Sequence, residues 1–180
     1  MQSIIQANDI FNFSSYRNVL EINEKDIYAN SPFRSIKSLS SSKKGSFFER
    51  LTKEFLMSQG FEVQSRDNSG HDLVAIRKGI RNQIEVKGSS LWGRGSQFRW
   101  SQIRPSQDYD IVCFVAMWPD KIEFLGATKK EVSDYVLEQD GEGNWVHNMH
   151  GGKAVNSGTF LIQGFPKNFS WMRPLEEALR

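Results

Sequence analysis

The sequence has one cysteine, Cys113, in 180 residues, so it can form neither an internal disulfide nor a cysteine-based zinc site. Cys113 lies within an apolar run and reads as a small buried hydrophobe in a reducing compartment. No stretch reaches the roughly 18 apolar residues of a membrane span, and residues 1–10 lack the charged and apolar regions of a signal peptide. A soluble, cytoplasmic protein with no membrane partner is the expectation. There is no internal repeat, no phosphate-binding P-loop, no Gly-x-Ser-x-Gly elbow and no dinucleotide fingerprint. Net charge is also small, +2 from 23 Lys+Arg and 21 Asp+Glu. What remains is 38% apolar and 24% charged, a globular composition with enough length for one core without disulfide staples.

The small net charge hides a local imbalance. Between Arg77 and Arg104 stand seven cations (Arg77, Lys78, Arg81, Lys87, Arg94, Arg99, Arg104) and one anion, Glu85. The rest of the chain carries more acid than base. A basic window in a mildly acidic body points to a local anion site.

The chain divides by pattern. Residues 1–45 form an N-terminal extension that ends in the polar segment 38–45, which reads as a linker; a short helix is expected near 15–23. Ser46 can cap a helix whose apolar positions Phe47, Phe48, Leu51, Phe55 and Leu56 follow helical spacing, with Gly60 as its stop. The period then changes. Strands are expected at 61–65, 73–76 and 83–87, joined by turns at 67–70 and at Lys78-Gly79. Residues 97–104 read as a short helix ended by Pro105, and Asp110–Trp118 as a central strand buried on both faces. A strand at 121–125, a helix capped by Thr128, a strand at 159–163 and a last short helix after Pro174 complete the pattern. The expectation is a single α/β domain, with a core over 46–139, a C-terminal extension over 140–180 packed on it, and a mixed sheet of about five strands flanked by helices.

Three residues stand out within that core. On a strand, Glu85 and Lys87 project to one side, while Ile84 and Val86 face the other and can enter the core. Asp72 lies one hairpin away, so pairing of the two strands brings its carboxylate towards Glu85. Two adjacent carboxylates need a cation if both are to stay ionised. Magnesium suits them because it takes hard oxygen ligands and keeps waters for a substrate phosphate, with manganese as a substitute. A lysine at the same place can orient an attacking water. The parts describe metal-assisted hydrolysis of a phosphodiester. Taken singly, a Glu-x-Lys pair is also a common exposed ion pair, and an Asp after a Gly a common turn residue.

Glu49, Gly70-His71-Asp72 and Glu85-Val86-Lys87, with the helix–three-strand order around them, resemble the motif set of the PD-(D/E)xK nuclease superfamily, the restriction-endonuclease-like fold. The resemblance covers roughly residues 46–126, and His71 stands where the name-giving proline would be. It implies Asp72 and Glu85 as magnesium ligands, the Val86 carbonyl as a third oxygen, and Lys87 as the group that positions water and stabilises the pentavalent phosphate. Glu49 has two readings, an acidic residue near the metal or the second half of a Ser46-x-x-Glu49 capping box. Gln102 is a further candidate beside the site.

The basic window then acquires a role. Arg94, Arg99 and Arg104 are candidates for phosphate contacts, and Ser89 and Ser90 either bind phosphate or cap the next element. Gly93 and Gly95 suit a loop that closes on DNA. Trp92, Phe98 and Trp100 read first as core or interface residues and second as stacking platforms. His147 and His150 lack a second ligand pair at metal spacing and read as a loop. The expected function is a magnesium-dependent DNA endonuclease of restriction type, acting as a homodimer or by two nicks. Repair, junction-resolving or mobile-element nucleases are the alternatives within the fold. A non-cleaving DNA-binding module and a protein-interaction domain are the alternatives outside it.

Overall fold

The run Ile111–Met117 is buried at every position, which requires the strand it forms to have a neighbour on each edge and a layer on each face. The computed structural model supplies all four. It describes residues 4–6, 26–65, 70–92, 97–104, 107–140, 149–150, 153–154, 160–164 and 169–179. The elements are β1 (Ile4–Gln6), α1 (Arg34–Lys37), α2 (Ser41–Ser58), β2 (Glu62–Ser65), β3 (Leu73–Arg77), β4 (Ile80–Ser90), β5 (Phe98–Ile103), β6 (Ile111–Met117), β7 (Lys121–Thr128), α3 (Lys129–Asp140), β8 (Met149–His150), β9 (Lys153–Ala154), β10 (Phe160–Gly164), β11 (Arg173–Pro174) and α4 (Leu175–Ala178).

The main sheet runs β1-β7-β6-β4-β3-β2, with β11 also on β7. Only β4 and β6 pair in parallel; the other pairs are antiparallel. This is the expected mixed α/β sheet flanked by helices, with seven strands where about five were expected. The two unforeseen ones, β1 and β11, are three and two residues long, too short to show a period. Lys78 (φ 52°) and Gly79 (φ 77°) make the β3–β4 turn, a two-residue hairpin whose positive φ values match the twist of the strands.

Adjacent residues of β6 show how its faces are covered. Cys113 meets Thr52 of α2, and Phe55 of the same helix stacks on Phe124 of β7. Phe114, pointing the other way, packs edge-on against Trp100 of β5 and Trp171. The β5–β10 ribbon thus lies on the face opposite α2.

Two expected elements are corrected. Helix α2 begins at Ser41, not after Ser46, and Ser40 caps it by accepting the Lys43 N–H at 3.5 Å. Residues 41–45 are therefore helical rather than linker; their serines, lysines and Gly45 carry no apolar period, and the start is held by the buried stripe that follows. Gly60, at φ +82°, does end the helix region as expected. Residues 97–104 are not a helix but contain β5, paired with β10. Their pairing slips by one residue between Phe160 and Ile162, and Gln102 sits at φ 60°, the signature of a β-bulge. The bulge returns Ile103 to the buried side three residues after Trp100, which mimics helical spacing. The expected helix at 15–23, the turn at 67–69, the Gly93–Gly95 loop with Arg94, and His147 lie outside the described residues. No helix among the described residues is long and apolar enough to cross a membrane.

Candidate metal centre and anion groove

Strand β4 changes partners at Ile84. Residues 80–84 pair with β3, and residues 84–90 pair with β6. Beyond Ile84 the edge that faced β3 has no paired strand among the described residues. Asp72, just before β3, donates its N–H to the Ile84 carbonyl at 2.9 Å and accepts the Val86 N–H on Oδ2 at 2.7 Å. Its carboxylate thereby terminates the hairpin and sits on that edge. The N–H and C=O of one strand residue point to the same edge, so the Val86 carbonyl is directed to that side as well.

Asp72 is anchored from behind. His71 is buried, and its Nδ1 pairs with the Asp108 carbonyl at 2.9 Å. Gly70 is pressed against the same segment, where a Cβ would lie 2.6 Å from the Asp108 amide nitrogen. One strand step further, Gln83 and Asp110 exchange hydrogen bonds: Asp110 N–H to the Gln83 carbonyl, and Gln83 N–H to Asp110 Oδ2, at 2.9 and 2.8 Å.

Glu85 and Lys87 share one face of β4, as alternation requires, and their side chains form an ion pair. Glu85 is 5% exposed, and burial pushes its carboxyl above the usual range; Lys87 opposes the shift and the Asp72 charge adds to it. Glu49, on α2, is also shifted upward, first by burial and then by the charges of Asp72 and Glu85. The three carboxylates therefore form one electrostatic cluster. With α2 starting at Ser41, Ser46 is interior to the helix, so the capping-box reading of Glu49 falls away. Nearby, burial and Glu85 push the Tyr109 phenol up to about 12.

Among the described residues no three His, Cys, Asp or Glu side chains stand close enough to ligate one ion. The oxygens that could hold a metal are those of the Asp72 and Glu85 carboxylates and the Val86 carbonyl, hard donors of the kind and small number that magnesium takes when substrate and water complete its shell.

Asp72, Glu49, Val86 and Lys87 lie on a groove of about 700 Å³ that also takes in Ser89, Ser90, Trp92, Arg99, Ser101 and Gln102. Ser89 is buried; its hydroxyl accepts the Arg99 N–H at 2.9 Å and so pins β5 to β4. Ser90 accepts the Lys37 ammonium at 3.0 Å. Arg99 is exposed and lies over the Trp92 ring at 5.0 Å. Arg104 is exposed and acts electrostatically on Glu85. Of the three aromatics, Phe98 and Trp100 are buried as expected, whereas Trp92 is 53% exposed. Arg94 lies outside the described residues. Sequence reasoning missed Lys37, Ser41, Ser42 and Lys44, which also line the groove. The signal available was the cap at Ser40 preceding a lysine pair.

No protein-family model matches the chain, and no curated protein does. Among solved structures, the chain is similar to that of a bacterial homing endonuclease, I-Ssp6803I, with 15% sequence identity and a TM-score of 0.47, over 74% of this chain and 86% of that one.

Proposed function

We propose that the chain is a magnesium-dependent DNA endonuclease that hydrolyses phosphodiester bonds, site-specific in the manner of restriction enzymes. The observation that carries the reading is the edge of β4 beyond Ile84, where the Asp72 carboxylate takes the Val86 N–H and the Glu85–Lys87 ion pair stands on the residues to either side, next to a groove with cationic and hydroxyl walls. An acidic cluster built next to a phosphate path would repel its own substrate unless a cation joined them.

Asp72, Glu85 and the Val86 carbonyl would hold magnesium, which when bound supplies a charge that polarises the phosphoryl oxygens. The remaining chemistry belongs to the chain. The Lys87 ammonium, held by Glu85, faces the groove and donates to the attacking water or to a phosphate oxygen as negative charge builds there. Glu49 lies where it can accept a hydrogen bond from a water crossing the groove. Arg99 and Ser90 offer donors to the backbone on either side. One such site cuts one strand, so cleavage of a duplex requires a homodimer or successive nicks.

Nicking of supercoiled plasmid tests the reading. Cleavage is expected with Mg²⁺ and none with EDTA. Lys87→Ala should lose about 10²–10³-fold or more in rate. Asp72→Asn should abolish cleavage while it still folds and binds DNA. A wild-type protein that leaves varied DNA substrates intact at every Mg²⁺ and Mn²⁺ concentration would overturn the enzyme reading. An Asp72→Asn variant that fails to fold would reassign Asp72 to structure.

A further inference from the structure

The groove has a second charged station that lies outside the basic window. Lys37 ends α1, and its ammonium donates to Ser90 Oγ at 3.0 Å. Lys44, in the second turn of α2, donates to the Lys37 carbonyl at 3.5 Å. The two side chains are only partly exposed, and both line the groove. Neither forms an ion pair with a carboxylate among the described residues. Burial, followed by repulsion from Lys44, holds the Lys37 ammonium below its ordinary pKa, and the Asp26 charge opposes the shift.

Two half-buried cations with no ion-paired carboxylate among the described residues stand beside the acidic cluster, and an anion between them relieves their repulsion. Ser41, Ser42, Ser46 and Ser90 bring hydroxyls to the same wall, and ammonium with hydroxyl donors is the chemistry that holds backbone phosphates. Ser90 lies three residues beyond Lys87 on β4, about 10 Å along the strand, far enough for the two to meet different phosphates of one strand.

We propose that Lys37 and Lys44, with the hydroxyls of Ser90, Ser41 and Ser42, grip a non-scissile backbone phosphate of the DNA strand whose scissile phosphate lies at Lys87. This station rests on the nuclease reading and adds to it the register of the bound strand. The segment that looks like a linker in sequence is then part of the substrate path.

The test is binding of a short labelled duplex in EDTA, followed by fluorescence anisotropy over a range of salt concentrations. Each phosphate neutralised contributes about 0.9 to the slope of log K against log salt. Lys37→Gln/Lys44→Gln, which frees one phosphate, should therefore reduce the slope by about 1, and Lys44→Gln alone by a measurable part of that, which carries the test if the double variant does not fold. Lys130→Gln, outside the groove, should leave the slope unchanged. A wild-type slope in the lysine variants overturns the station and leaves the nuclease reading intact, because the wild type still binds and nicks. A second arm measures thermal melting with inorganic phosphate. If phosphate stabilises the wild type but not the double variant, and the wild type binds no DNA, the site is one for a small anion. That outcome overturns both the strand assignment and the nuclease reading.

Discussion

Trp92 is 53% exposed beside Arg99 at the groove, whereas Trp100 is enclosed by Phe98, Phe114 and Phe169, with its indole N–H on the Val115 carbonyl at 3.2 Å. Their chemistry is the same and their energetic roles are not. Trp100→Ala should cost about 3–5 kcal/mol, while Trp92→Ala should stay within about 0.5 kcal/mol; urea denaturation of both variants measures the contrast. Equal losses would mean that Trp92 is a core residue after all. At this scale the sequence disclosed that Glu85 and Lys87 stand together, because alternation along a strand fixes which side chains share a face. It did not disclose which aromatics are covered. Coverage depends on β5, β10 and residues 169–171, which are remote in the chain and have no fixed spacing.

Helix α2 and strand β4 approach so closely that a Cβ on Gly88 would lie 1.8 Å from Phe48 Cδ2. Phe48 is itself buried at 2% exposure, so its ring has nowhere to retreat. Gly88→Ala should destabilise the protein by about 1–3 kcal/mol, roughly 2–4 °C in Tm for each kcal/mol in a domain of this size. The same contact sets Glu49 near Asp72, so the variant should lose cleavage out of proportion to its loss of stability. A Gly88→Ala variant with wild-type Tm would show that the helix can slide on the sheet. Elements with a strong period, such as the buried stripe of α2 and the all-apolar β6, were legible. The polar start of α2 and the bulged β5 were not. The first is stabilised by packing further along the helix, and the second breaks alternation at Gln102, where φ is 60°.

At the scale of the molecule, the proposed binding of magnesium by Asp72 and Glu85 should show in stability as well as in cleavage. Magnesium at about 100 times its Kd should stabilise the wild type by about 2.7 kcal/mol, and Asp72→Asn should show little of this gain; thermal melts across a Mg²⁺ titration compare the two. Equal shifts would mean that magnesium binds elsewhere. By itself, the sequence determined the α/β class, the shared face of Glu85 and Lys87 and the charge of the window from Arg77, because these follow from local periodicity and residue chemistry. The tertiary structure decided where β4 changes partners, which leaves the Val86 edge open to Asp72. It also brought Lys37 and Lys44 to the same groove as Lys87. Strand pairing and helix docking join residues far apart in the chain, and no local pattern specifies that distance.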